Sequence, residues 1–404
     1  MRVEQIYTLM NAVTREILGQ PTEDDPSIFV LKEDLSNVVD MGKALFDATS
    51  VDNYVRTLVD VIGRVKVVDR LYVGSTPSLL KENWQFGSVL EKLSITELPE
   101  AQENESWNLQ SGTSYDPNVF KAPKVEAKFF NSKLTIEIDM SFTDKQVRES
   151  FTSASQLNAF ISAIYTAIQN SFTVKMDALF ERAINNMIGQ TLNAEYGAAA
   201  YGNGTHVKAV NLLYLYNNTV NYGGTPLTAA ASYYSADFIR FATLTIKKCR
   251  RRLKKMSTLF NVGGMPRFTP DDRLHMIMLA DFSEAADVYL QSDTYHNELV
   301  SLGSGYEVTP FWQASGSEFA IDDVSAIKIE IDTGSGSSKS ITCTGIIGVM
   351  FDDEAVMVAN LDERVTANYN PKGEFTNEFW KKDVMLVNDL DENFVVFFIA
   401  DPSN

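Results

Sequence analysis

TSASQLNAFISAIYTAIQNSFTVKMDALFERAINNMIG, residues 152–189, is one unbroken helical pattern. Leu157, Phe160, Ile161, Ile164, Ile168, Phe172, Met176, Leu179, Ala183, Met187 and Ile188 recur at the spacing of an apolar helical stripe. Thr152 and Ser153 are both good N-caps, and Gly189 is the predicted stop. At about 1.5 Å per residue, roughly 35 residues make a rod of ~50 Å, longer than a typical domain needs. Aromatic crowding and drifting spacing argue against a strict heptad, so the segment predicts a spine and not a coiled coil.

On its N-terminal side, Lys124 to Met140 alternates, with Val125, Ala127, Phe129, Leu134, Ile136, Ile138 and Met140 on the apolar positions. Before that, Gly74 to Lys124 is poor in apolar residues. It holds turn formers at Ser75, Pro77, Pro99, Gly112, Pro117 and Pro123 and an acidic run from Glu97 to Glu105. A polar excursion of about 50 residues is too long for an ordinary loop, and a long two-stranded projection is expected. Such ribbons are marginal alone and call for a supporting neighbour. Val51 to Gly63 predicts a helix with Tyr54, Val55, Leu58, Val59 and Ile62 on one face, running into a strand-like stretch, Val65 to Val73. Val3, Ile6, Met10, Val13 and Ile17 predict a first helix ended by Gly19 and Pro21 and set apart by the acidic turn Thr22 to Pro26. Its apolar face has two candidate seats, a neighbouring subunit or its own domain.

After a Gly- and Asn-rich connector, Tyr196 to Gly204, strands and helices alternate, which implies a second, α/β lobe. Asp237 to Met256 reads as a helix, His275 to Ala280 as a strand, and Ser283 as the cap of a helix through Leu290. Ala326 to Ile331 and Ser340 to Met350 flank the turn Thr333 to Ser338 as a hairpin. Further strands are expected at Ala355 to Asn360, Asp383 to Val387 and Phe394 to Ile399, the last a continuous apolar run suited to burial on both faces.

The 404 residues, 45% hydrophobic and 22% charged, can bury a large core in two or more lobes. With 53 acidic against 35 basic side chains the formal charge is -18, which argues against a general nucleic-acid binder and suits a container wall that does not adhere to packaged DNA. Cys249 and Cys343 indicate neither a disulfide framework nor a zinc site, and a reducing compartment is the plain reading. No run long enough for a signal peptide's apolar core or a membrane span is present, so no membrane association is expected.

Catalytic patterns are weak. Ile329-Glu330-Ile331-Asp332-Thr333-Gly334-Ser335 looks like an aspartic-protease turn, but that chemistry needs two facing turns, and Gly336 to Lys339 continues it as a hairpin tip. A homodimeric hydrolase centred on Asp332 is the enzymatic alternative. His206, His275 and His296 lack zinc-protease spacing, and phosphate-loop, dinucleotide and nucleophile-elbow motifs are missing. No enzyme, cofactor or metal is expected.

One electrostatic feature stands out in this acidic chain. Lys247, Lys248, Arg250, Arg251, Arg252, Lys254 and Lys255 put seven cations into nine positions of a helix. Like charges at that density repel and need partners. Three readings stay open: a solvated or intrachain-paired face, acids of an adjacent subunit, or DNA phosphates.

The order of parts, N-terminal arm, long polar hairpin, spine helix, α/β lobe and returning strands, resembles the Hong Kong 97 fold of tailed-phage major capsid proteins, an α+β class. Asn53-Tyr54-Val55 and Thr57-Leu58-Val59-Asp60-Val61-Ile62-Gly63 look like the segment that leads such proteins from arm to extended loop. Asn377-Glu378-Phe379-Trp380 and Asp391-Glu392-Asn393-Phe394-Val395-Val396-Phe397 resemble their closing strands. Short-tailed phages of Gram-positive hosts are the nearest subgroup.

The resemblance implies an N-terminal arm at 1–50, an extended loop at 70–130, a peripheral domain from 51–69, 131–204 and 351–392, and an axial domain from 205–350 and 393–404. It further implies an icosahedral shell of hexamers and pentamers around double-stranded DNA, bound without sequence specificity. The shell would be built in the host cytoplasm and belong to the virion. Scaffolding, portal and cement proteins are the implied partners, and a chain starting at Met1 without a long scaffold segment implies a separate scaffolding protein. No residues are assigned to the cross-link that some members form. An encapsulin-type nanocompartment shares the fold and is the second alternative.

Overall fold

The computed structural model describes residues 3–18, 37–64, 80–81, 90–101, 103, 106, 108–115, 118, 120–197, 201–291, 305–313, 325–332 and 338–401. Three helices come first: α1 (Val3–Leu18), α2 (Val38–Ala48) and α3 (Val51–Arg64). Leu9, Met10 and Val13 of α1 are buried with Met41 and Leu45 of α2 and with Tyr54, Val55 and Leu58 of α3. Of its two candidate seats, α1 thus occupies the one on its own chain. The expected acidic turn 22–26 and strand 65–73 lie outside the described residues.

Four strands follow: β1 (Leu80–Lys81), β2 (Leu90–Ile95), β3 (Val125–Phe130) and β4 (Lys133–Thr143). The alternation expected from Lys124 to Met140 is real, but Asn131 and Ser132 divide it between two sheets, because β3 pairs back on β2 while β4 joins the body. Next, α4 (Asp144–Ser150) opens with a capping box between Thr143 and Gln146.

The spine, α5 (Ala154–Tyr196), has 43 residues, and the Ser153 side chain accepts from the Gln156 N–H at its start. It runs past the predicted stop. A Cβ on Gly189 would lie 2.6 Å from Ile329 Cδ1, so this glycine marks a close approach and not a helix end. The helix closes seven residues later, where the Gly197 N–H donates to Asn193 O.

Beyond it lie β5 (Ala209–Asn211), α6 (Leu212–Thr219), α7 (Ala229–Ser232), α8 (Ala236–Leu253), β6 (Leu274–Leu279), α9 (Ala280–Gln291), β7 (Glu307–Thr309), β8 (Ile327–Asp332) and β9 (Ser338–Cys343). The chain ends in β10 (Ile346–Asp352), β11 (Val356–Asn370), β12 (Phe375–Asn388) and β13 (Phe394–Phe398). Because α9 follows β6 without a loop, Ser283 sits inside the helix and not at its cap. Its hydroxyl lies 3.1 Å from the Tyr306 hydroxyl.

One sheet has the order β5-β13-β10-β6-β7 and is covered on both faces. Phe394, Val396 and Phe398 point to the core shared with Met187, Ile188 and Leu192 of α5. Their neighbours Val395, Phe397 and Ile399 point to the core shared with Phe238, Ile239, Ala242 and Ile246 of α8. A continuous apolar run therefore serves two cores at once, as the two-residue period of a strand requires.

The second sheet has the order β1-β11-β12-β4. The strand expected over Ser340 to Met350 is two strands. Gly345 breaks it at φ +74°, with its missing Cβ only 1.9 Å from Ile399 O, so β9 pairs with β8 while β10 enters the first sheet.

The spine links the parts. Leu157, Ile161, Ile164 and Ile168 are buried with the N-terminal helices, whereas Leu179, Phe180, Ala183 and Ile184 are buried against the sheets.

Candidate functional site

The hairpin β2–β3 has two unlike faces. Its register places Leu90 opposite Phe130, Lys92 opposite Lys128 and Ser94 opposite Glu126 on one side. Glu91 and Phe129, Leu93 and Ala127, and Ile95 and Val125 share the other. The first side turns toward the body, where Leu90 and Phe130 pack on Met357, Ala359, Met385 and Val387. The second turns to solvent: Leu93 is 67% and Phe129 64% exposed, with Ile95 and Val125 over half exposed. Alongside, a cleft of about 430 Å³ opens between Leu93, Ile95 and Leu98 and the facing Met256, Pro266 and Phe268.

The inward lysines meet a bed of carboxylates. Lys92 Nζ lies 2.7 Å from Asp389 Oδ2, 2.7 Å from Glu392 Oε1 and 3.1 Å from Glu354 Oε2. Lys128 Nζ is 3.5 Å from Asp389 Oδ1 and also contacts Asp391. Arg267 Nε approaches Glu392 Oε1 at 3.0 Å, and Arg273 pairs with Glu354. The acids are held in place by main chain: Val262 and Gly263 N–H both donate to Leu390 O, and the Asp389 N–H to Ala355 O.

Asp389, Asp391 and Glu392 are buried, so their charges depend on these partners. Burial pushes the Asp389 carboxyl up, but the hydrogen bond and charge of Lys92 outweigh it and hold it below its usual value. For Glu392 burial wins over Lys92 and Arg267, and its carboxyl stands above the usual value. Burial would lower Lys92, yet Asp389 and Glu392 raise it.

The basic cluster lies on α8 and just past it. Ile246, Cys249 and Leu253 face the core. Arg250 Nε sits 3.1 Å from Asp271 Oδ1, and Lys254 reaches the other oxygen of the same carboxylate. Lys254, then Arg250, hold Asp271 below its usual value. Lys248, Arg251, Arg252 and Lys255 are exposed and Lys247 is half-buried. Their place at a helix C-terminus suits the negative end of the helix dipole. Two of the seven cations, Arg250 and Lys254, thus share one intrachain partner, Asp271. Asp332 ends β8 opposite Ser338, in a hairpin that lies over α5. The 333–337 turn is outside the described residues.

The hairpin site was missed in the sequence. Lys92 and Lys128 are two cations in an acidic excursion, a signal that was present, but only the pairing register reveals that they converge on 389–392.

The hairpin thus turns Lys92 and Lys128 onto the body and leaves an exposed apolar patch on its outer face, the kind of surface that suits docking. The model of the family described as Phi29-like phage major capsid protein matches residues 10–398. A major capsid protein of Bacillus phage GA-1 is 26% identical over 198 residues, 47% of this chain and 38% of that protein's length. The capsid of Staphylococcus phage Andhra aligns with a TM-score of 0.48 and 9% identity, over 83% of this chain and 87% of that one. The capsid of cyanophage P-SCSP1u gives 0.44 and 12%, over 84% and 92%. The chain belongs to the Phi29-like phage major capsid protein family, on the strength of the family match along nearly its whole length. That family is one of structural proteins, and membership favours neither the nanocompartment nor the hydrolase reading.

Proposed function

We propose that this chain is the repeating subunit of an icosahedral virion shell, assembling as hexamers and pentamers around double-stranded DNA. The exposed apolar face of β2–β3 carries the reading: Leu93, Ile95, Val125 and Phe129 gain their burial on a neighbouring copy. Each such contact is modest, and closure of the lattice makes the contacts reinforce one another. In this reading 1–50 is the arm, 70–130 the extended loop, 51–69 with 131–204 and 351–392 the peripheral domain, and 205–350 with 393–404 the axial domain. Scaffolding, portal and cement proteins are partners by family analogy.

Lys248, Arg251, Arg252 and Lys255 supply a cationic patch on an otherwise acidic subunit. It faces either packaged DNA or an adjacent subunit. Electron microscopy of the purified protein tests the shell reading: closed shells of regular size are expected, and a protein that stays monomeric under all assembly conditions overturns it. Nucleic acid within those shells, in place of a protein cargo, separates a virion shell from a storage compartment.

A further inference from the structure

The docking face depends on charges that lie behind it. Two-stranded ribbons are marginal in water, and like charges directly opposite on neighbouring strands weaken them further. The β2–β3 ladder has six residue pairs, and one of its inward pairs is Lys92 with Lys128. Its apolar support is Leu90 and Phe130 on a small cluster, and both are only partly buried. What offsets the lysine repulsion is the carboxylate bed of Asp389, Asp391, Glu392 and Glu354, which touches both ammonium groups.

We infer that the hairpin is a strap folded only while latched: Lys92 and Lys128 hold β2–β3 together and docked through Asp389, Asp391 and Glu392. Unlatching then dissolves the ladder and its apolar outer face without unfolding the body. The latch regulates the docking surface assigned above and rests on that reading for its role in assembly. The structural claim itself stands apart from it.

The body acids keep their own supports when the strap leaves. Arg267 remains on Glu392 and Arg273 on Glu354, and the 389–393 segment keeps its main-chain bonds to Ala355, Val262 and Gly263. The strap is therefore a separate opening unit, with a lower opening free energy than the sheets beneath it.

Hydrogen exchange on the full-length, unassembled chain tests this independently of shell formation. In Lys92→Met, which keeps the aliphatic stem and removes the charge, amides of 90–95 and 125–130 should exchange on the order of a hundredfold faster, the effect of breaking a partly buried charge cluster. Amides of β10 and β13 should not change. Lys92→Arg, which keeps the charge, should hold exchange near the native rate. Asp389→Asn should reproduce Lys92→Met from the opposite side of the latch. Native protection of the ladder in Lys92→Met, or loosening of β10 and β13 in step with it, overturns the inference.

Discussion

Lys92 and Lys128 face each other across the hairpin, and Asp389 meets both, one carboxylate oxygen to each. Cross-strand repulsion is converted into a shared attachment, and the two most consequential acids of the site respond to pH in opposite directions.

For Asp389 the folded value lies below the unfolded one. Its contribution is complete above the ordinary aspartate range and disappears as pH falls through the lowered folded value. For Glu392 the folded value is raised, so its ionised form costs stability at neutral pH, and that cost is relieved as pH falls through the raised value. Asp389→Asn should therefore weaken the docking of the hairpin by about 3 kcal/mol at neutral pH, and Glu392→Gln by only ~1 kcal/mol. Hydrogen exchange of the 90–95 and 125–130 amides at neutral pH checks the ranking, and equal losses would contradict it.

The outer face of the hairpin should matter for assembly and not for folding. Leu93→Ser with Phe129→Ser alters residues that are mostly exposed, so unfolding should move by less than about 0.5 kcal/mol. Shell formation, followed by size-exclusion chromatography and microscopy, should be lost. Normal shells from this variant would remove the hairpin face from the interface.

Replacing Lys248, Arg251, Arg252 and Lys255 together by Gln leaves the Arg250 and Lys254 pairs to Asp271 intact. The variant should fold with a change under about 0.5 kcal/mol. If the patch meets DNA, shells form well but fill poorly, measured as nucleic-acid content per shell. Failure to form shells assigns the patch to an adjacent subunit.

Gly345→Ala should be far worse than Gly189→Ala. At Gly345 the added methyl meets the main-chain oxygen of Ile399 and the backbone is left-handed, so a loss of at least ~2 kcal/mol is expected. At Gly189 it meets side chains only, Ile329 and Ile331, which yield at lower cost than main chain, and alanine returns about 1 kcal/mol of helix propensity. Thermal unfolding of the two variants gives the comparison.

Local periodicity made the spine, the first and third helices and the doubly buried strand Phe394 to Phe398 legible, because each is decided by which faces its own residues bury. What stayed hidden depends on distant partners. Gly189 reads as a stop until Ile329 is seen beside it. Asn131 and Ser132 look like part of one strand until β3 and β4 are assigned to different sheets. The basic cluster was found by density alone, but its partial neutralisation by Asp271 was not readable. The lysine latch lay beyond reach, since residues 92 and 128 join acids at 389–392 only through sheet register.

The spine has one further consequence. Phe172 packs against both the helical core and the sheet core, marking the seam where α5 passes from one to the other. A rod embedded at both ends cannot let one end rotate freely. Torque applied to the N-terminal helices must be carried as bending through the turns around Phe172 or arrive undiminished in the sheets, so in the proposed shell each copy would pass strain along its length.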